Sequence, residues 1–472
     1  MTYSPLTPAM LEEMAAIVGP RNLSIDPAKL EACSHDETSR EEYAHLPDAV
    51  VTPENTEQVA AVVRLARKHH IPITPRGAGS GLSGGAIPVF GGIVLSLEKM
   101  NRVREIDYDN LTMTVEAGIV TNEINNLVKE HGLFYAGYPM SLETCTLGGN
   151  IAENAGGGKA IKYGVTARYI LGLEFVTPLG EIVQLGGKLA KDVTGYNLVQ
   201  LIVGSEGTLG IVTAATIRLI ALPAAKSDLL VLFHSPQQAI SAVPRILAKG
   251  FIPASIEFMD RRSVETSCAY LNESLSYADC GAMLLIEMDG AEPERVEREA
   301  EAVGDLCMEQ GAIEVYIADN RTTQERLWAI RRNIAEAFKV YCPVQSLEDI
   351  VVPPASIPAL IPELERIEKE YGITIPCYGH AGDGNLHATL VKDPDMSIER
   401  WHEIEPKALE ALYRAAAKLG GKISGEHGIG LKRKRYMAEF ADPVELNLIR
   451  AIKRAWDPDL IMNPGKIVDF RE

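Results

Sequence analysis

Cysteine is sparse and shows no pairing pattern. The seven cysteines (33, 145, 268, 280, 307, 342 and 377) are odd in number and scattered, and none forms a C-x-x-C pair. That excludes a disulfide framework or an iron–sulfur cluster within the chain and points to a reducing cytoplasm. Long apolar runs are missing too. No stretch approaches the ~18 residues of a membrane span. The start, Met1-Thr2-Tyr3-Ser4-Pro5, has neither the basic nor the apolar region of a secretory leader. Basic residues are short as well: 46 Lys and Arg stand against 64 Asp and Glu, leaving a net charge of −18. A nucleic-acid binder or a surface seeking anionic lipid would carry the opposite balance.

Glycine is plentiful, and it is concentrated. Pro75-Arg76-Gly77-Ala78-Gly79-Ser80-Gly81-Leu82-Ser83-Gly84-Gly85 holds five glycines and two serines in eleven residues. Such a stretch cannot build a core. Without Cβ atoms its backbone can approach a ligand closely, and successive N–H groups can converge on an anion. A phosphate or pyrophosphate is the ligand this chemistry suits. No Gly-Lys-Ser/Thr follows, which excludes a P-loop. A strand follows where a helix should open, which excludes a nicotinamide-type dinucleotide fingerprint.

The chain is long enough for two or three domains, and 46% apolar content supplies their cores. Residues 1–48 read as a polar helical lead-in. A strand at 49–51 precedes a helix capped by Asn55, with Gln58 three residues on. Val59, Val62, Val63 and Ala66 give that helix its apolar stripe. The strand at 71–74 then delivers the glycine loop at its carboxyl end, where ligands sit in α/β units. Strands are expected at 92–97 and 111–116, with a helix over 121–131 ended by Gly132. A second small-residue stretch runs from Thr146 to Gly158. Strands at 171–177, 182–185 and 211–219 follow, the last after Gly204-Ser205-Glu206-Gly207-Thr208-Leu209-Gly210. Three such loops suit one extended ligand touched at several places. From 223 the order becomes strand, helix, strand, repeated once (229–233, 236–249, 254–258, then 282–288, 292–309, 313–317). That order predicts a ferredoxin-like antiparallel sheet. Helices are expected at about 322–340, 358–371, 396–419 and 442–456.

Two short segments carry the chemistry. In Tyr378-Gly379-His380-Ala381-Gly382-Asp383-Gly384-Asn385-Leu386-His387, two alternating strands flank turn residues. A hairpin would bring His380 and His387 across from each other, where two imidazoles can share a metal. Taken alone, they could equally be unrelated loop histidines. In Ser424-Gly425-Glu426-His427-Gly428, glycines on both sides let Glu426 and His427 converge on one site. Glu426 would complete a two-histidine, one-carboxylate metal set. His427 would serve as a general base.

The three glycine-rich loops, with Tyr163-Gly164, resemble the flavin-binding domain of the vanillyl-alcohol oxidase superfamily. Within it the chain is similar to the glycolate oxidase flavin subunit and to FAD-linked D-lactate and D-2-hydroxyglutarate dehydrogenases, over about 49–466. The resemblance implies an α+β fold: an FAD-binding domain at 49–222, a ferredoxin-like substrate domain with the metal site at 223–420, and a helical segment at 421–472 that completes the active site. It implies FAD contacts from Arg76, Gly77, Ala78, Gly79, Ser80, Gly81, Ser83, Pro139, Gly148, Gly149, Asn150, Asn154, Gly157, Gly164, Glu206, Gly210, Ile211 and Asn463. Ser80 stands where covalent relatives have the flavin-linking histidine, so the FAD is expected to be non-covalent. His380, His387 and Glu426 as metal ligands and His427 as base resemble the family's residues position for position, and the expected metal is zinc, manganese or iron. The family pattern also makes Arg331 the clamp on a substrate carboxylate. Hydroxyglutarate-specific relatives hold a second carboxylate with further polar residues. Here Ala335 follows Arg331 by four residues and 347–353 contains no lysine, which tilts the expectation to D-lactate or glycolate. No second redox motif is present, so electrons would pass to a quinone, an iron–sulfur subunit or an electron-transfer flavoprotein. The rivals are a D-2-hydroxyglutarate dehydrogenase and, in another class, a flavin-bearing relay subunit.

Overall fold

The computed structural model describes residues 2–275, 280–318 and 320–470. The chain divides into two units: 1–156, 164–222 and 426–472 form the first, and 157–163 and 223–425 the second. Among the described residues, no helix is long and apolar enough to cross a membrane.

The first unit contains a four-stranded sheet in the order Leu23–Ser24, Ala49–Val51, Ile93–Ser96, Ile73–Arg76. Its last three strands run parallel. The connecting helix Thr56–His69 starts where expected, with Asn55 Oδ1 accepting from the Gln58 amide at 2.9 Å. Gln58 answers one residue earlier than a capping box would, its Oε1 accepting from the Glu54 amide at 2.8 Å. Val59, Val62, Val63 and Ala66 pack with Ile73, Ile93 and Leu95 in one core. Residues 1–48 are part of this unit: Met14 and Val18 of helix Pro8–Val18 enter the same core, and Leu23–Ser24 pairs with the Ala49–Val51 strand. A five-stranded antiparallel sheet follows, in the order Val103–Asp107, Thr112–Glu116, Ile211–Arg218, Ile170–Val176, Ile182–Gly186. The Val103–Asp107 strand has no apolar alternation to announce it, because its first three residues are exposed.

The second unit is built on a seven-stranded sheet: Ala312–Ala318, Ala225–Phe233, Ala282–Gly290, Ser255–Asp260, Cys377–His380, Asn385–Val391, Gln345–Val351. Every pairing is antiparallel. In sequence order the first four strands stand 4-1-3-2, the ferredoxin-like arrangement. Helix Pro236–Ala248 is capped by Ser235, and Pro293–Glu309 covers the same sheet. Three features differ from the sequence expectation. An extra helix, Arg261–Leu271, sits between the second and third strands. The helix expected at 322–340 breaks at Asn333, whose side-chain amide donates to the Ala329 carbonyl at 2.8 Å. Finally, Gln345–Val351 is a strand whose Glu348 and Asp349 are fully buried, so it reads as polar in sequence.

Candidate active site

In the first unit the glycine loop leaves the Ile73–Arg76 strand and folds against the segment before helix Leu147–Glu153. A Cβ on Gly77 would overlap the Thr146 hydroxyl, and one on Gly148 would lie 2.9 Å from the Ala117 carbonyl oxygen. Arg76 turns back, donating from Nη1 to the His35 carbonyl at 2.8 Å. Arg76, Gly77, Ala78, Ser96, Thr144 and Thr146 line a cleft of about 350 Å³. The Thr146 Oγ1 is buried there without a hydrogen-bond partner. Bare glycine backbone, a guanidinium and an unused buried hydroxyl fit the pyrophosphate-bearing part of a dinucleotide.

Several other expected cofactor residues hold the loops in place. Asn150 donates to Thr121 Oγ1 at 2.7 Å, and Asn154 accepts from the Ala167 amide at 2.9 Å. Asn463 Nδ2 donates to the carbonyls of Gly85 (2.9 Å) and Glu206 (2.7 Å). Ser83 Oγ donates to Glu153 at 3.2 Å. Gly210, at φ +147°, packs its backbone on the Phe175 ring, and Ile211 opens the next strand. Ser80, Gly81 and Pro139 are half-buried, and Gly79 and Gly164 adopt positive φ. Gly157 belongs to the short segment of the second unit.

Glu426 and His427 open the return of the chain to this first unit. His427 Nε2 lies 3.8 Å from Glu426 Oε1. The turn after them is pinned by Glu206, whose two oxygens accept from the amides of Ile429 (2.8 Å) and Gly430 (2.6 Å). The Ser83 carbonyl accepts from Leu431 and Lys432. Burial raises the Glu206 carboxyl against the pull of those two amides, and burial plus Glu206 raise Glu153 further. The base candidate therefore sits on a loop tied directly to the first glycine loop.

In the second unit the expected hairpin forms. Tyr378 pairs with His387 and His380 with Asn385, which puts both histidines on one face of the sheet with ring centroids 5.5 Å apart. Both are buried. Asp349 stands directly opposite His387 on the neighbouring strand, with ligand-capable atoms of the two within 4.8 Å. Asp349 accepts from Asn385 Nδ2 (2.6 Å), Ser424 Oγ (2.7 Å) and the Gly425 amide (3.0 Å). On the other side, His380 Nδ1 meets Glu257 at 2.8 Å. Arg331, 4% exposed, donates from Nε to the same carboxylate at 2.7 Å and lies over the Tyr378 ring. Burial would raise the Glu257 carboxyl, but His380, Arg331 and the hydrogen bonds bring it down to about 2. His387 and Asp349, with His380 beside them on the same buried sheet face, offer nitrogen and oxygen donors of the kind a first-row divalent metal takes.

The first unit carries a partly parallel sheet with glycine loops and the second an extended ferredoxin-like sheet, and the family matches make this a two-domain FAD-linked oxidoreductase. Residues 47–186 match the FAD binding domain family, and 222–467 match the C-terminal domain of FAD linked oxidases. The chain belongs to the FAD-linked oxidases. It is 39% identical to the glycolate oxidase subunit GlcD of Bacillus subtilis, over 98% of this chain and 97% of that protein. It is 35% identical to a D-lactate dehydrogenase of Anaerostipes hadrus, over 98% of each. A solved p-cresol methylhydroxylase with substrate bound shares the fold, with a TM-score of 0.79 at 19% identity, covering 98% of this chain and 97% of that one.

Four residues of these sites were not found by sequence reasoning: Thr146, Glu153, Glu257 and Asp349. For Glu257 a signal existed. A carboxylate in the apolar strand segment Ser255-Ile256-Glu257-Phe258 has to be paired if it is buried. Asp349 offered none, because its partners come from distant segments.

Proposed function

We propose that this chain oxidises a small D-2-hydroxy acid, D-lactate or glycolate, to the 2-oxo acid, using non-covalent FAD and one divalent metal. The observation that carries this is the buried face on which His380, His387 and Arg331 converge. Bound FAD would supply the hydride acceptor and a bound zinc, manganese or iron would supply Lewis acidity. His380, His387 and Glu426 would hold the metal. Glu426 directly follows Gly425, whose amide is fixed on Asp349 opposite His387. Arg331 binds the substrate carboxylate, and His427 takes the C2 hydroxyl proton onto a ring nitrogen. The buried carboxylate of Asp349 on the same face disfavours a second anionic group on the substrate, which supports a monocarboxylate. Reoxidation falls to an external acceptor, a quinone, an iron–sulfur subunit or an electron-transfer flavoprotein.

The test is anaerobic bleaching of the flavin by D-lactate, L-lactate, glycolate and D-2-hydroxyglutarate, with and without chelator. D-Lactate or glycolate should bleach rapidly, and chelation should stop it. His427→Ala should keep its flavin and bleach ~10²–10⁴-fold more slowly. Preferential bleaching by D-2-hydroxyglutarate, or an unaffected His427→Ala protein, would overturn the reading.

A further inference from the structure

Glu257 binds no substrate or cofactor in the scheme above, yet it touches two of its principal residues. It is fully buried on the Ser255–Asp260 strand, in register with His380. Its Oε1 and Oε2 lie 2.8 and 3.0 Å from His380 Nδ1. Its Oε2 accepts from Arg331 Nε at 2.7 Å, and Arg331 Nη2 stands 2.7 Å from the same oxygen as an ion-pair contact. Ser255 Oγ donates to Oε1 at 2.9 Å, and Gly158 leaves room for the carboxylate, since a Cβ there would stand 2.5 Å from Oε1.

We propose that Glu257 is a positioning residue which sets the metal-ligand histidine and the substrate-carboxylate arginine with one carboxylate, coupling metal affinity to substrate affinity. The inference rests on the metal-binding reading of His380 given above. A carboxylate on Nδ1 holds the ring proton there. That leaves Nε2 as the ligating nitrogen, fixes the ring plane and makes the imidazole a better donor. The same carboxylate holds the guanidinium through its Nε and offsets its charge in a buried setting. A glutamine cannot do both, because its NH₂ must face either the arginine, where it repels, or the histidine. Facing the histidine, it would donate to Nδ1 and drive the ring proton to the ligating nitrogen.

The experiment uses the full-length flavoprotein. Metal content is measured by mass spectrometry, metal release into excess chelator is timed, and KM and kcat are taken with D-lactate, for wild type, Glu257→Gln, Glu257→Asp, Ser255→Ala and His380→Ala. Glu257→Gln should hold metal 10–100-fold more weakly, seen as faster release, with KM raised about tenfold and flavin per chain unchanged. Glu257→Asp, which restores the charge, should recover part of both, a rescue that a purely structural role would not produce. Ser255→Ala, which frees only Oε1, should speed release severalfold. Wild-type release and KM in a folded, flavin-replete Glu257→Gln protein would overturn the proposal. If that variant does not fold, wild-type release in Ser255→Ala would do so. His380→Ala separates the two levels. Its losing metal while Glu257→Gln keeps it defeats Glu257 alone, whereas its keeping metal defeats the metal site and this inference with it.

Discussion

Lys466 places its amine where no solvent reaches, donating to the Ile87 carbonyl at 2.6 Å and to Asn463 Oδ1 at 3.2 Å. Burial lowers its pKa from 10.5 to about 7, although Asp36 and Glu206 pull the other way. Between those two values the unfolded chain holds a proton that the folded chain has released. This amine's contribution to stability therefore rises with pH across about 7 to 10.5, and the burden of charging it is greatest below pH 7. Urea unfolding midpoints measured at pH 6, 8 and 9.5 should show the wild type gaining on Lys466→Met as the pH rises. Equal slopes in the two proteins would mean the amine stays charged in the fold. The residue matters for the site because Asn463, its partner, ties Gly85 to Glu206 and so joins the first glycine loop to the loop carrying His427.

That junction is also the element on which the fold of the site depends most. Gly430 sits at φ +51°, and a Cβ there would overlap the Ser83 carbonyl, a backbone atom that cannot swing aside. Gly430→Ala should cost about 1–3 kcal/mol from backbone strain alone. By loosening the Glu206 bonds to residues 429 and 430, it should also lower kcat at least tenfold with flavin retained. Melting temperature and kcat together check this, and an unchanged kcat would show that the loop is not what positions His427. At this scale much was legible in the sequence. Asn55 and Ser235 announced their helices, the glycine loops announced close approaches, and alternation around Gly382-Asp383-Gly384 announced the hairpin, because each signal lies within a few residues of what it specifies. What escaped depends on distant partners. Glu348 and Asp349 interrupt the apolar pattern of Gln345–Val351, and partners from distant segments, among them Tyr413, Asn385 and Ser424, let them be buried. The break at Asn333 is local, but asparagine has too many uses for one to be read as a helix end.

At the scale of the molecule, the chain passes from one unit to the other at 156/157, 163/164, 222/223 and 425/426. Residues 157–163 therefore belong with a sheet whose first strand begins some sixty residues later. Lys159 pairs with Glu287 at 2.7 Å, Lys162 pairs with Asp289, and the Tyr163 hydroxyl donates to Asp289 at 2.7 Å. Gly158 lies against Glu257, and Ile161 sits where a Cβ on Gly382 would be. This one short segment supplies cations to a row of buried carboxylates in a protein whose net charge is −18. Stripping one partner from such a buried pair costs roughly 3–5 kcal/mol. For Asp289 the loss would be nearly complete, whereas Glu287 keeps Lys226 at 3.7 Å. A fragment of 223–425 should consequently lack a cooperative thermal transition and a structured near-ultraviolet dichroism spectrum. The same fragment with 157–163 joined to its start by a flexible linker should recover both. Lys162→Met in the linked form should fall between the two, because it removes the ion pair but leaves the tyrosine bond. Equal melting of the fragment with and without the segment would show that the sheet balances its own carboxylates. Residues 157–163 would then be a passing connection rather than part of the second unit's structure.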